Sequence, residues 1–134
     1  VIVPPALLTQ WLVEIEKCTG QSLVVDVLSP ATGNLDRRFH GSKQQKHPDI
    51  VLTTYQALAK GSRRVLNQAL RTLMDNQWGR VVLDELQEIR SHTLGISKNC
   101  CELQADRRWM LSGTPLFEGF EDFRGELNFL HLDP

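Results

Sequence analysis

The sequence predicts an α/β fold, a parallel sheet covered on both faces by helices. Five short apolar runs, Val1-Ile2-Val3, Leu23-Val24-Val25-Asp26-Val27, Asp49-Ile50-Val51-Leu52-Thr53, Arg80-Val81-Val82-Leu83-Asp84 and Arg108-Trp109-Met110-Leu111-Ser112, barely alternate with polar residues. Strands buried on both faces read this way. The segments between them carry helical spacing, and that alternation of strand and helix is the pattern of a parallel sheet.

Each element has a local reason. Val1-Ile2-Val3 is stopped by Pro4-Pro5, whose fixed φ suits the entry to a helix. Leu8, Trp11, Leu12 and Ile15 then fall at i, i+3, i+4 and i+7, and Gly20 closes that helix just past Lys17. After the second strand, residues 29–48 contain Pro30, Gly33, Asn34, Gly41 and Pro48 among Arg37, Arg38, Lys43 and Lys46. They read as a polar, basic surface connection containing a short helix. Thr53 and Gln56 have capping-box spacing for a helix after the third strand. Val65, Leu66, Ala69, Leu70 and Leu73 form an apolar stripe on the next. A helix spans residues 96–103, and Gly113-Thr114-Pro115 closes the fifth strand. Phe120, Phe123, Leu127 and Leu130 line a last helix.

At 134 residues, with 41% hydrophobic and 23% charged residues, the chain is long enough to bury a core. The net charge of -1 neither supports nor excludes a nucleic-acid partner, because phosphate binding depends on local basic surface. No apolar run approaches the roughly 20 residues that cross a bilayer. Cys18, Cys100 and Cys101 lack metal-ligand spacing and read as reduced, partly buried thiols of an intracellular protein. The four histidines form no pattern. The chain opens directly on a strand, so sequence upstream of Val1 is expected.

Ligands of open parallel sheets collect beyond the carboxyl ends of the strands. Three such ends are polar here: Thr53-Thr54-Tyr55, Asp84-Glu85 and Ser112-Gly113-Thr114. Paired carboxylates after a buried strand can hold a magnesium ion and take a proton from water. Each cluster also has a plain structural reading: acidic residues favour helix starts, and Ser-Gly-Thr favours a tight turn. Trp11 reads as core packing or as a stacking platform, and Gln10, off the apolar stripe, as the better contact residue.

In combination the clusters are far more specific. The stretches VIVPPALLTQWLVEIEK, DIVLTTYQAL, WGRVVLDELQEIRS and RRWMLSGTPLFEGFEDFRGELNFLHLDP together resemble the Swi/Snf family of superfamily-two helicase-like motors. The resemblance covers the first RecA-like lobe from motif Ia to motif III, over residues 1–134, and is closest to the branch with RING-type ubiquitin-ligase insertions. It implies ATP and Mg2+ as cofactors and double-stranded DNA as partner. It also implies a second RecA-like lobe, a nuclear location, and a role in chromatin remodelling or DNA repair. Asp84 would be the magnesium-associated carboxylate, Glu85 the general base, and Gln87 a hydrogen-bonding residue where many relatives carry His. Ser112, Gly113 and Thr114 would couple nucleotide state to lobe movement. Thr53, Thr54, Tyr55 and Gln10 would face DNA, with Arg37, Arg38, Lys43 and Lys46 as further candidates.

Three departures qualify the match: Ala6 stands for a common Ser, Phe117-Glu118-Gly119 for a polar stretch, and Arg90 for a common Lys. No glycine-rich loop ending in Gly-Lys and a hydroxyl residue occurs in the 134 residues. That loop cradles phosphates in such motors. The expectation is therefore a lobe fragment whose sheet is incomplete beside residues 108–112, and which alone hydrolyses ATP negligibly. The alternative is a non-enzymatic remnant that at most binds DNA or a protein.

Overall fold

A computed structural model of the chain describes residues 1–41, 47–59, 68–85, 94–113 and 126–132. Six strands form one sheet: β1 (Ile2–Val3), β2 (Val24–Leu28), β3 (Leu35–His40), β4 (Ile50–Thr54), β5 (Val81–Asp84) and β6 (Arg108–Leu111). The order across it is β3-β2-β4-β1-β5-β6, and every pairing is parallel except β2 with β3. The helices are α1 (Leu8–Thr19), α2 (Gln68–Met74) and α3 (Leu94–Glu102), and residues 126–130 are also helical. Each of the five expected strands is present, as are the α1 and α3 helices.

The period-2 geometry of the strands divides the core into two layers. Val3, Val27 and Leu52 face α1, meeting Leu7, Leu8, Trp11 and Leu12. Their chain neighbours Ile2, Leu28 and Val51 face the other side, where Leu70 and Leu73 of α2, Cys100 of α3, Leu103 and Phe129 close the larger core. Both faces therefore carry helices, as expected of strands that read as unbroken apolar runs. Gly20 ends α1 with φ 56°, its N–H donating to the Glu16 carbonyl.

Within the connection expected over residues 29–48 with a short helix, the described residues 29–41 instead form a hairpin that adds β3 antiparallel to β2. Arg37 and Phe39 turn inward while Asp36, Arg38 and His40 stay exposed. Alternation was present in LDRRFH, but glycines, prolines and charges around it gave a loop signal. The turn closes through Gly33 N–H to the Ser29 carbonyl at 2.8 Å and Ser29 N–H to the Asn34 carbonyl at 2.9 Å. Gly33 has φ 72°, and a Cβ there would lie 2.5 Å from Cβ of Gln68, so this corner of the hairpin requires glycine.

The capping-box expectation also fails. Thr53 lies inside β4, where its hydroxyl donates to the Leu28 carbonyl at 2.9 Å. A 3-10 turn over Tyr55–Leu58 begins after Thr54 instead. Of the apolar stripe expected over residues 65–73, Ala69, Leu70 and Leu73 are buried on α2, and residues 60–67 lie outside the described residues. Phe120 and Phe123 of the last expected helix also lie outside them.

Candidate functional site

Parallel register brings the polar strand ends to one edge of the sheet. Val3 pairs with Thr54, Ile2 with Leu83, and Asp84 with Leu111. Thr54, Pro4, Asp84 and Ser112 thus emerge on the same side, where ligands of open α/β sheets collect. Gln87 and Thr114, both expected at this edge, lie outside the described residues.

Asp84 ends β5 and Glu85 breaks away from it, with φ 51° in the left-handed region. A side chain held there costs on the order of 1–3 kcal/mol, a strain that tends to persist where surrounding structure imposes it. The Asp84 carboxylate accepts the Glu85 N–H on Oδ1 at 3.0 Å and the Trp11 indole N–H on Oδ2 at 2.6 Å. The Tyr55 hydroxyl donates to the Asp84 carbonyl at 2.7 Å.

These residues border an open cleft of about 470 Å³ lined by Leu7, Gln10, Trp11, Glu14, Asp84 and Glu85. Gln10 therefore shares a cleft with the carboxylate pair rather than facing a separate surface. Three carboxylates around it repel a bare phosphate and favour one that arrives with a cation. Among the described residues no three His, Cys, Asp or Glu side chains form a metal-binding set. Magnesium needs none, since it keeps several waters and binds through one or two carboxylates plus phosphate oxygens. A carboxylate offers about four lone-pair sites, and Asp84 uses two, so the donor set fits a hydrated Mg2+.

The remaining candidates fall into two groups. Ser112 is half-buried and Gly113 exposed, directly past the β6 residue that pairs with Asp84. Thr53, Thr54 and Tyr55 are at most 5% exposed, with the Thr53 and Tyr55 hydroxyls committed to the Leu28 and Asp84 carbonyls. The two arginines proposed for a DNA groove are engaged within the chain. Arg37 pairs with buried Asp26 and Arg38 with Asp36. Lys43 and Lys46 lie outside the described residues. Sequence reasoning missed Trp11 as a donor to Asp84. The signal available was general: a partly buried indole N–H needs an acceptor, and the strand ends supply one.

The model of the SNF2-related domain matches residues 1–134. The chain belongs to the SNF2-related domain family. A solved SNF2 relative, the Sulfolobus solfataricus SWI2/SNF2 ATPase core in complex with dsDNA, is 28% identical with a TM-score of 0.69, over 96% of this chain and 24% of that one. Among curated SNF2-type relatives, the Arabidopsis thaliana DNA repair protein RAD5B is 37% identical over all of this chain and 10% of its own length. The Drosophila melanogaster transcription termination factor 2 is 36% identical over 12% of its length. The chain thus spans about a tenth of the curated relatives it matches. Its mostly parallel six-stranded sheet is the α/β, RecA-like first lobe of an Snf2-type helicase-like core.

Proposed function

We propose that this chain is part of the ATP-binding lobe of a DNA-dependent ATPase that translocates on double-stranded DNA in DNA repair or chromatin remodelling. The observation that carries the reading is the Asp84–Glu85 pair at the carboxyl edge of the sheet, oriented into the cleft that Trp11 and Gln10 share. ATP bound as its magnesium complex supplies the transferable phosphoryl group and the cation that neutralises its charge. Asp84 would hold the hydrated cation, and Glu85 would accept the proton of the attacking water. For Gln87 the family resemblance alone supports a hydrogen-bonding role that does not titrate.

Ser112 and Gly113 follow β6 next to the carboxylates, a position from which the Ser112 hydroxyl can report nucleotide state to a second RecA-like lobe, and the resemblance alone gives Thr114 the same role. DNA contact falls to exposed Gln10 and to the main chain of the turn after β4, since the Thr54 side chain is buried. Thr53 and Tyr55 shape that turn from inside. The relatives named for DNA repair support a nuclear site of action.

A second reading applies to the 134 residues by themselves. They contain no Gly-Lys loop to cradle phosphates, and phosphoryl transfer depends almost wholly on such positioning. The chain alone is then a lobe that does not turn over nucleotide and at most binds DNA or a protein partner. Magnesium-dependent ATPase assays separate the readings. The full-length protein hydrolyses ATP when double-stranded DNA is added, and Glu85→Gln lowers that rate by about 10²–10⁴. The 134-residue chain shows no turnover. A full-length protein without DNA-stimulated hydrolysis overturns the motor reading. Glu85-dependent turnover by the chain alone overturns the second.

A further inference from the structure

The proposed chemistry assigns Asp84 a task but leaves unexplained what holds it. Its Oδ2 accepts the Trp11 indole N–H at 2.6 Å, from the first turn of α1. Its main-chain carbonyl accepts the Tyr55 hydroxyl at 2.7 Å, from the turn after β4. The two donors sit 73 and 29 residues away in sequence, and only the sheet brings them to one residue.

Neither donor is loosely placed. Trp11 packs with Leu7, Leu8 and Leu12 against Val3, Val27 and Leu52, so its ring plane is set by the core. Tyr55 is 4% exposed within the opposite layer. An indole nitrogen donates and cannot accept, so its one bond fixes the rotation of the carboxylate it meets. With Oδ1 taken by the Glu85 N–H and Oδ2 by the indole, both oxygens of the Asp84 carboxylate are anchored where it lines the cleft. Tyr55 pins the peptide at which the chain turns into the left-handed conformation of Glu85.

We propose that Trp11 and Tyr55 are positioning residues for the carboxylate pair, Trp11 by fixing the Asp84 carboxylate and Tyr55 by fixing the peptide that aims Glu85. The proposal rests on the assignment of Asp84 and Glu85 as the metal-bearing and proton-accepting groups. Trp11 belongs to the start of α1 and Tyr55 to the β4 turn, the two segments proposed to face DNA. A displacement of either segment therefore reaches the carboxylates through one hydrogen bond each.

The test uses the full-length protein and its DNA-stimulated ATPase. Trp11→Phe keeps an aromatic ring in the α1 layer and removes the donor, along with part of the indole's bulk. We expect kcat to fall about tenfold or more, because small misplacements at a reacting centre are costly. KM for ATP and affinity for double-stranded DNA stay within about twofold, while the Mg2+ concentration giving half-maximal rate rises. Tyr55→Phe, which removes one hydroxyl, carries the same expectation for kcat and covers the case in which Trp11→Phe does not fold. A folded Trp11→Phe protein at the wild-type kcat, or a loss confined to KM, overturns the proposal alone. A wild-type protein that does not hydrolyse ATP overturns the functional reading on which it rests.

Discussion

Arg37 and Asp26 face each other across the β2–β3 ladder and pair through two hydrogen bonds, Nε to Oδ1 at 2.8 Å and Nη2 to Oδ2 at 3.2 Å. The register slips just before this pair, Val25 opposing Phe39 and Asp26 opposing Arg37, so Arg38 is the extra residue of a bulge. The bulge brings Arg37 onto the face where Asp26, 4% exposed, needs a partner. The hydrogen bond to Asp26 also raises the Arg37 pKa above its ordinary value.

Removing one partner of such a pair leaves a buried charge uncompensated, whereas replacing both by apolar residues is often tolerated. Arg37→Ala should lower the melting temperature by more than about 5 °C. The double variant Asp26→Leu/Arg37→Met should recover most of that loss in the same thermal melt. DNA affinity should follow folding only. A selective drop in DNA affinity for folded Arg37→Ala would return this arginine to the DNA-facing set.

The cysteines should differ sharply in reactivity. Cys18 is exposed on α1, Cys101 is half-buried, and Cys100 is fully buried with its pKa pushed up to about 12 by desolvation. Thiolate, not thiol, reacts with alkylating reagents. Brief iodoacetamide treatment at pH 7.5 followed by peptide mass analysis should find Cys18 modified and Cys100 untouched until denaturant is added. Rapid labelling of Cys100 in the folded chain would contradict its place on the buried face of α3.

Glycine is required at Gly33 but not at Gly79. Gly33→Ala meets both a positive φ and the Gln68 side chain, whereas a Cβ at Gly79 meets nothing within 4 Å. Denaturant titration should show Gly33→Ala less stable by about 2–3 kcal/mol, and Gly79→Ala within about 0.5 kcal/mol of the original chain. Comparable losses at both sites would mean that the hairpin turn is not held as described.

Much of the fold is legible in the sequence alone. Five strands follow from short apolar runs, and Asp84-Glu85 and Ser112-Gly113 fall at strand ends because those runs stop there. β3 was not legible, since its six residues carry three charges and make sense as a strand only once Asp26 is seen to need Arg37. Thr53 and Gln56 had cap spacing, yet the Thr53 hydroxyl went to Leu28 in a strand adjacent in space but distant in sequence.

The sequence by itself determined the layer pattern, the family and the identity of the acidic pair, because periodicity and motif order are local properties of the chain. Tertiary structure decided how that pair is aimed. Trp11 is an apolar-stripe residue by spacing, and its one polar atom acquires a purpose only when α1 is laid across the end of β5. Hydrogen-bond direction depends on the relative placement of elements 73 residues apart, and no local pattern encodes it.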